Sequence, residues 1–271
     1  MQNLLVNKKP LVSVIMSVYN GENIIEKSIY SILNQTFEDF EILVVNDGST
    51  DATLKILKNI QDKRLKIISQ NTNIGLTKSL NIAINNSNGY YLARQDADDI
   101  SFPNRLEKQV NYFEENPKLN LLGTRAYIWL NGKRLISKNY ENEDLIYLLQ
   151  RNNIFIHSTI MLKKETFLNI GCYNEKYKVS QDYEAWLKLL DSGYNKLYIY
   201  PDILVERNID EFAISTNRYL EQAYNGFILR KKRIPFILNF YFFLYQFIIN
   251  FISINISYRF NKILKWGFIK K

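Results

Sequence analysis

Four runs of β-branched and apolar residues, three of them followed by a stretch of helical periodicity, fill the first hundred positions. They restrict the fold more than any other feature. Leu11 to Val18 is continuously strand-like and ends at the turn formers Asn20 and Gly21, as expected of a parallel strand buried on both faces. From Glu22 to Gln35 the residues Ile24, Ile25, Ser28, Ile29, Ile32 and Leu33 recur at helical spacing, with Glu22 and Glu26 near the positive end of the helix dipole. Phe40 to Val45 is the second strand, and in the following Asn46 to Asp51 turn Gly48 permits a tight bend while Ser49, Thr50 or Asp51 can cap a helix reaching about Ile60. Leu65 to Ser69, a helix over Leu76 to Asn86 and a strand opening at Tyr90 complete the series. Strands alternating with helices require right-handed crossovers, so an α/β, doubly wound sheet is expected.

Beyond a helix from about Pro103 to Glu115 the pattern changes. Strands around Leu119 to Leu130 and Arg134 to Ser137 flank Asn131-Gly132, a strong hairpin signal, so the sheet should be mixed. A helix near Asn142 to Gln150, His157, a strand over Ser158 to Leu162, a short helix at Glu165 to Asn169, the loop Gly171 to Asn174 and an amphipathic helix over Gln181 to Leu190 follow.

The strand opening at Tyr90 ends in Arg94-Gln-Asp-Ala-Asp-Asp99, three carboxylates within four positions. Ligands of open α/β sheets bind outside the carboxyl ends of the strands, so Asp96, Asp98 and Asp99 would lie where substrate arrives. Carboxylates suit Mn²⁺ or Mg²⁺, and Mg²⁺ is commonly held by one or two of them plus substrate phosphates. An acidic turn before the helix at Pro103 reads the same residues without a ligand. A calcium loop fails, because Ser101 stands where glycine is required and Pro103 interrupts. Asp182, in the first turn of its helix, would accept helix N–H groups and stay ionised as a base should; an ordinary capping aspartate is the alternative.

The formal net charge of +8 raises nucleic acid as a partner, but no nucleic-acid-binding motif appears and none is expected to bind. A single cysteine, Cys172, excludes an internal disulfide and fits a reducing compartment. Met1 to Pro10 has neither an uninterrupted apolar core nor a small-residue cleavage site, so no signal peptide is expected and the working face should be cytoplasmic. The chain is expected to divide into an α/β domain at 1–215 and a helical tail at 216–271. Ile234 to Tyr258 carries no charge, and Asn239, Gln246, Asn250, Ser253 and Ser257 fall along one helical face. Flanked by Arg230-Lys-Lys-Arg233 and later basic residues, such a helix suits a membrane interface; a span of the bilayer or a helix docked on the catalytic domain are the other two options.

Val12 to Asn20, Val45 to Asp51, Asn73-Ile-Gly75, Ala93 to Asp99, His157 and Gln181-Asp-Tyr-Glu-Ala-Trp186 together resemble, in order and spacing, the family 2 glycosyltransferases, over roughly residues 10 to 210. The resemblance implies a GT-A fold and an inverting, metal-dependent transfer of a sugar from a nucleotide-diphosphate donor, commonly a UDP-sugar, to an acceptor hydroxyl. With it, the membrane options for the tail suggest a glycan or lipid-linked acceptor, as in surface polysaccharide assembly, and a peripheral or monotopic place at the membrane. Tyr19 and Asp47 match positions that hold the nucleotide base, Asp96 one that contacts ribose or metal, Asp98 the metal ligand and Asp182 the base. Trp186 and His157 match positions on the acceptor side, although His157 also reads as a packed core histidine. Arg94 is a candidate for the donor phosphates or a structural salt bridge. Asn46, Ser158 and Cys172 depart from the usual Asp, Pro and Gly, and no later histidine appears around Val205 to Asn208. A sugar nucleotidyltransferase and a non-catalytic nucleotide-sugar-binding relative are the rival readings; against the first, Tyr19 to Glu22 lacks a glycine-rich triphosphate loop.

Overall fold

The computed structural model describes residues 9–130, 132–141, 144–209 and 218–245. Its centre is four parallel strands, β1 (Val12–Val18), β2 (Phe40–Asn46), β3 (Leu65–Ser69) and β4 (Tyr91–Arg94), in the order β3-β2-β1-β4. The connecting helices are α1 (Ile25–Leu33), α2 (Thr53–Asn59) and α3 (Leu76–Asn86). Every side chain of β1 and β2 is buried, which explains why these strands lack alternation in the sequence.

The two faces of the sheet are covered by different helices. Ile15, Leu43 and Val45 pack with Leu80, Ala83 and Ile84 of α3. On the opposite face Val14, Met16, Ile42 and Val44 pack with Ile25, Ile29 and Ile32 of α1 and with Leu106, Val110 and Phe113 of α4 (Arg105–Glu115). Each such aliphatic side chain contributes about 1.5–3 kcal/mol by leaving water.

Beyond β4 the sheet turns mixed. β8 (Met161–Lys163) runs antiparallel to β4, β6 (Leu121–Leu130) antiparallel to β8, and β7 (Lys133–Ile136) closes the expected hairpin on β6. Two elements were not legible. β5 is only Ile100–Ser101, and β9 (Leu197–Ile209) lies parallel to β6 along its whole length, with register shifts on either side of Arg125. Such irregularities bend a strand pair and increase its twist. The far half of β9 thereby pairs with β5, Ile100 opposite Glu206, and reaches the segment that carries the acidic cluster. The strand expected from Ser158 begins only at Met161, because His157–Thr159 forms a 3₁₀ turn.

The remaining helices are α5 (Leu145–Leu149), α6 (Lys164–Asn169), α7 (Gln181–Asp191) and α8 (Tyr219–Arg230), followed by a helical run at 236–245. α8, assigned from sequence to the tail at 216–271, packs beside α7: Asn225 donates to the carbonyl of Val179, just before α7, at 3.1 Å, and Arg233, just after α8, pairs with Asp191 at 2.6 Å. Of the expected polar stripe only Asn239 lies among the described residues. It faces inward rather than toward an interface, completely buried, accepting from Arg230 Nε at 3.0 Å and donating to the Phe227 carbonyl at 2.9 Å.

Candidate active site

The ends of β1, β2 and β4 form one edge of the sheet, and the loops there are tied to one another by side chains. Asn20 Oδ1 accepts the Thr50 N–H at 2.8 Å, Asp51 Oδ2 accepts the Glu22 N–H at 3.1 Å, and Glu22 returns a carboxylate oxygen to the Ala52 N–H at 2.8 Å. Glu22, expected to serve the dipole of α1, thus serves α2 instead. Asp47 is 2% exposed, and its two oxygens accept the N–H groups of Ile74 and Gly75 at 2.8 and 2.9 Å. Those bonds shape the Asn73-Ile-Gly75 loop. Gly48 has a φ of +69°, and a Cβ there would lie 2.4 Å from the Thr72 backbone, so no other residue fits the crossing of the two loops.

A cavity of about 760 Å³ opens on this edge, lined among others by Tyr19, Asp47, Asn73, Asp96, Asp98 and Lys178. Tyr19 is 49% exposed and presents a ring to the opening. A second space of about 210 Å³ shares Asp96, Asp98 and Lys178 with the first and adds His157, Asp182, Arg207 and Asn208. A third, of about 410 Å³, shares His157, Asp182 and Arg207 with the second and extends under Lys138, Tyr140, Phe155 and Arg230. The middle chamber is therefore lined both by Asp96 and Asp98 of the acidic cluster and by Asp182.

The three carboxylates of the cluster have different environments. Arg94, 1% exposed, forms an ion pair with Asp96. Burial alone would raise the Asp96 pKa, but Arg94, His157 and Arg207 outweigh it and hold the carboxyl below its ordinary value. Asp98 lines both adjoining cavities. Asp99, by contrast, is 1% exposed and lines none of these three, and its Oδ1 accepts the Asn208 N–H at 3.1 Å. Burial and the neighbouring charges of Asp96 and Asp98 push it up to about 8, so at neutral pH it is mostly protonated. The expectation for Asp99 is corrected: Asp96 and Asp98 line these cavities and Asp99 does not. Asp99 is an anchor between the cluster and β9.

Among the described residues no group of three His, Cys, Asp or Glu side chains is arranged to hold a metal ion. Asp98 with Asp96 on one cavity wall is nonetheless the donor set that Mg²⁺ or Mn²⁺ accepts when substrate phosphates and water supply the other ligands. The residues fit an ion that arrives with its substrate.

Asp182 is the second residue of α7, whose capping residue Ser180 has a φ of +63°. Its Oδ1 accepts the N–H of Tyr183 at 2.8 Å, and its Oδ2 accepts Asn153 Nδ2 at 2.7 Å. His157 Nε2 lies 2.7 Å from the Tyr173 hydroxyl. Burial, reinforced by Arg94, pulls its pKa down to about 4, so the ring is a neutral hydrogen-bonding group on the walls of two cavities. Trp186 does not lie where expected. It is 0% exposed and lines none of these cavities; one turn after Asp182 its side chain turns into the core, edge-on to Phe155 and His157 and tilted against Phe167.

Three contributors were missed from sequence. Arg207 and Asn208 lie on β9, Asn208 Nδ2 donating to the Asp98 carbonyl at 3.0 Å. Arg105 is completely buried beneath the acidic loop, where it donates to Gln95 Oε1 and Ser101 Oγ at 2.8 Å each and to the Arg94 carbonyl at 2.8 Å. Burial lowers its pKa to about 9, which leaves it charged at neutral pH. The available signal was Arg105 and Gln109 at i, i+4 on the same face of α4 as Leu106, Val110 and Phe113.

The family model for glycosyl transferase family 2 matches residues 13–173. An O-antigen biosynthesis glycosyltransferase of Escherichia coli, WbnJ, is 37% identical over 191 residues, covering 68% of this chain and 74% of that protein. Among solved structures, TarS residues 1–349 of S. aureus in complex with UDP superposes with a TM-score of 0.63 at 20% identity, covering 86% of this chain and 68% of the other. The mannosyltransferase PcManGT from Pyrobaculum calidifontis, in complex with GDP-Man and Mn²⁺, gives 0.65 at 18% identity, covering 84% and 66%. The chain belongs to glycosyl transferase family 2. Its architecture is the GT-A fold of these transferases, and it is a glycosyltransferase enzyme.

Proposed function

We propose that the enzyme transfers a sugar from a nucleoside-diphosphate donor, a UDP-sugar, to a hydroxyl of a glycan or lipid-linked acceptor, with inversion, in the assembly of a surface polysaccharide. The observation that carries this reading is the shared chamber. Asp98 and Asp182 both line a space of about 210 Å³ that joins a larger cavity on each side. A single displacement needs the leaving group and the attacking oxygen on opposite sides of one carbon, and two separate carboxylates on one chamber support that reading. The O-antigen role named for the Escherichia coli relative supports the polysaccharide assignment, and the UDP in the TarS complex supports the donor.

In this scheme Tyr19 stacks on the base at the mouth of the 760 Å³ cavity, while Asp47 holds the loop that walls it. Asp98, with Asp96, would hold Mn²⁺ or Mg²⁺, which when bound offsets charge on the diphosphate. Asp182, oriented by Asn153, takes the proton from the acceptor hydroxyl as the hydroxyl oxygen attacks the anomeric carbon and the bond from that carbon to the diphosphate oxygen breaks, releasing the nucleoside diphosphate. Neutral His157 lines the path between the chambers as a hydrogen-bonding wall. Calorimetry of UDP, GDP and dTDP with and without Mn²⁺ tests the scheme. One nucleotide should bind in a metal-dependent way, and Asp98→Asn should weaken it at least about tenfold, about 1.4 kcal/mol. Normal metal-dependent binding by that variant would remove Asp98 from the role.

The membrane surface as a partner rests on the last described helix. Phe236, Ile237, Phe240, Tyr241 and Tyr245 are 45–83% exposed, and Lys231 and Lys232 beside them are exposed. Among the described residues no helix is long and apolar enough to cross a membrane. An apolar face next to basic residues suits peripheral attachment to anionic lipid on the cytoplasmic side. Flotation with phosphatidylglycerol vesicles should carry the protein, phosphatidylcholine vesicles should not, and Ile237→Glu should release it.

A further inference from the structure

The third cavity is unusual in its charge. Around its 410 Å³ stand Lys138, Arg207 and Arg230 against one carboxylate, Asp182, while His157 is neutral. Arg230 is the informative residue. It is 1% exposed, and burial, the dominant influence, holds its pKa below the ordinary arginine value. Its Nε donates to Asn239 Oδ1 at 3.0 Å and its guanidinium lies against the Tyr183 hydroxyl, so among the described residues the neutral groups Asn239 and Tyr183, not a carboxylate, hold its charge within the protein. A buried guanidinium held only by neutral groups favours an anionic partner from the cavity it lines.

The helix that carries it leaves the way open. Gly226, one turn earlier on α8, lines the same cavity, and a Cβ at that position would lie 3.0 Å from Arg230 Nη1. Glycine there keeps the guanidinium reachable from the cavity. Lys138 is exposed and Arg207 half-buried, so the positive charge extends from rim to floor.

We propose that this cavity seats an acceptor bearing an anionic group, a phosphate or a carboxylate, against Arg230, Arg207 and Lys138, with the hydroxyl to be glycosylated presented to Asp182. The inference rests on the transferase reading above and adds the acceptor's chemical class. The two sources of such a group, a lipid phosphate and an acidic sugar, differ in what carries the charge. A guanidinium accepts either in bidentate geometry.

The test uses the full chain with UDP and Mn²⁺ present and three probes: octyl β-glucoside, octyl β-glucuronide and octyl phosphate. Their dissociation constants are measured by calorimetry below the aggregation concentration of each. At least one anionic probe should bind ten times or more tighter than the glucoside; preference for the glucuronide indicates an acidic sugar, preference for octyl phosphate a lipid phosphate. Arg230→Gln and, should that variant fold poorly, Lys138→Gln at the exposed rim should erase most of the preference. Lys55→Gln, which removes the same charge from the surface of α2, should leave it intact. Equal binding of all three probes, or equal loss in Lys55→Gln, overturns the inference while nucleotide binding persists. Failure of UDP, GDP and dTDP alike to bind the folded protein overturns the transferase reading beneath it.

Discussion

Asn153 Nδ2 donates to Asp182 Oδ2 at 2.7 Å, which leaves the proposed base one oxygen bonded to the Tyr183 N–H and one held by a side chain from another segment. The carboxylate is thereby fixed toward the chamber. Asp182→Asn should cut transfer by about 10² to 10⁴-fold, the usual yield of general base catalysis. Asn153→Ala should cost on the order of tenfold in kcat with donor KM little changed, because it loosens the base without removing it. Steady-state kinetics with varied donor separate the two; a KM effect confined to donor would place Asn153 elsewhere.

Glu41 gives the fold its own acid sensitivity. It is 3% exposed at the opposite edge of the sheet, accepting from Ser13 Oγ and from the Asn88 N–H at 2.6 Å each and from Lys66 Nζ at 2.6 Å. Burial opposes ionisation, but the bonds from Lys66, Ser13 and Asn88 together hold its pKa below 4.5. A depressed carboxyl stabilises fully above its unfolded pKa and loses that contribution as pH falls through the folded value. Glu41→Gln should therefore destabilise by about 2 kcal/mol at pH 7. In urea titrations the gap to wild type should narrow below pH 4.5; a gap unchanged down to pH 3 would contradict the assignment.

Gly48→Ala should damage the donor cavity more than its size suggests. The new Cβ would meet the Thr72 backbone at 2.4 Å in a left-handed conformation. The loop that Asp47 holds must then shift. We expect a loss of about 1–3 kcal/mol in stability, together with weaker UDP binding measured on the protein that remains folded.

Trp186→Ala should behave as a core deletion. The ring is fully buried among Phe155, His157 and Phe167, so its removal should cost about 3–5 kcal/mol. Trp186→Phe should recover most of that stability, read as a thermal midpoint. An acceptor-contact role would instead give a stable alanine variant with a raised acceptor KM.

The chain's local chemistry was enough for the Rossmann-like half. β1, β2, β3 and β4 and helices α1 to α4 begin and end within about three residues of where apolar periodicity, glycine turns and caps put them, because their hydrophobic pattern and their burial are the same fact. Leu65–Ser69 and Leu76–Asn86 coincide with the expected bounds. The acidic cluster at the end of β4 was also legible, since strand ends of a parallel sheet share one edge. What the tertiary structure alone decided lies in the antiparallel half. β9 acquires its place through pairing with β6 and β5, contacts between residues more than seventy positions apart, and only that pairing brings Arg207 and Asn208 to Asp98 and Asp99. Side-chain direction was the second unknown. Asp98 and Asp99 are adjacent in sequence, yet one lines the cavity and the other is buried, and Trp186 turns inward one helical turn after Asp182. Periodicity reports which residues are apolar, but packing from distant elements determines which polar ones face the ligand.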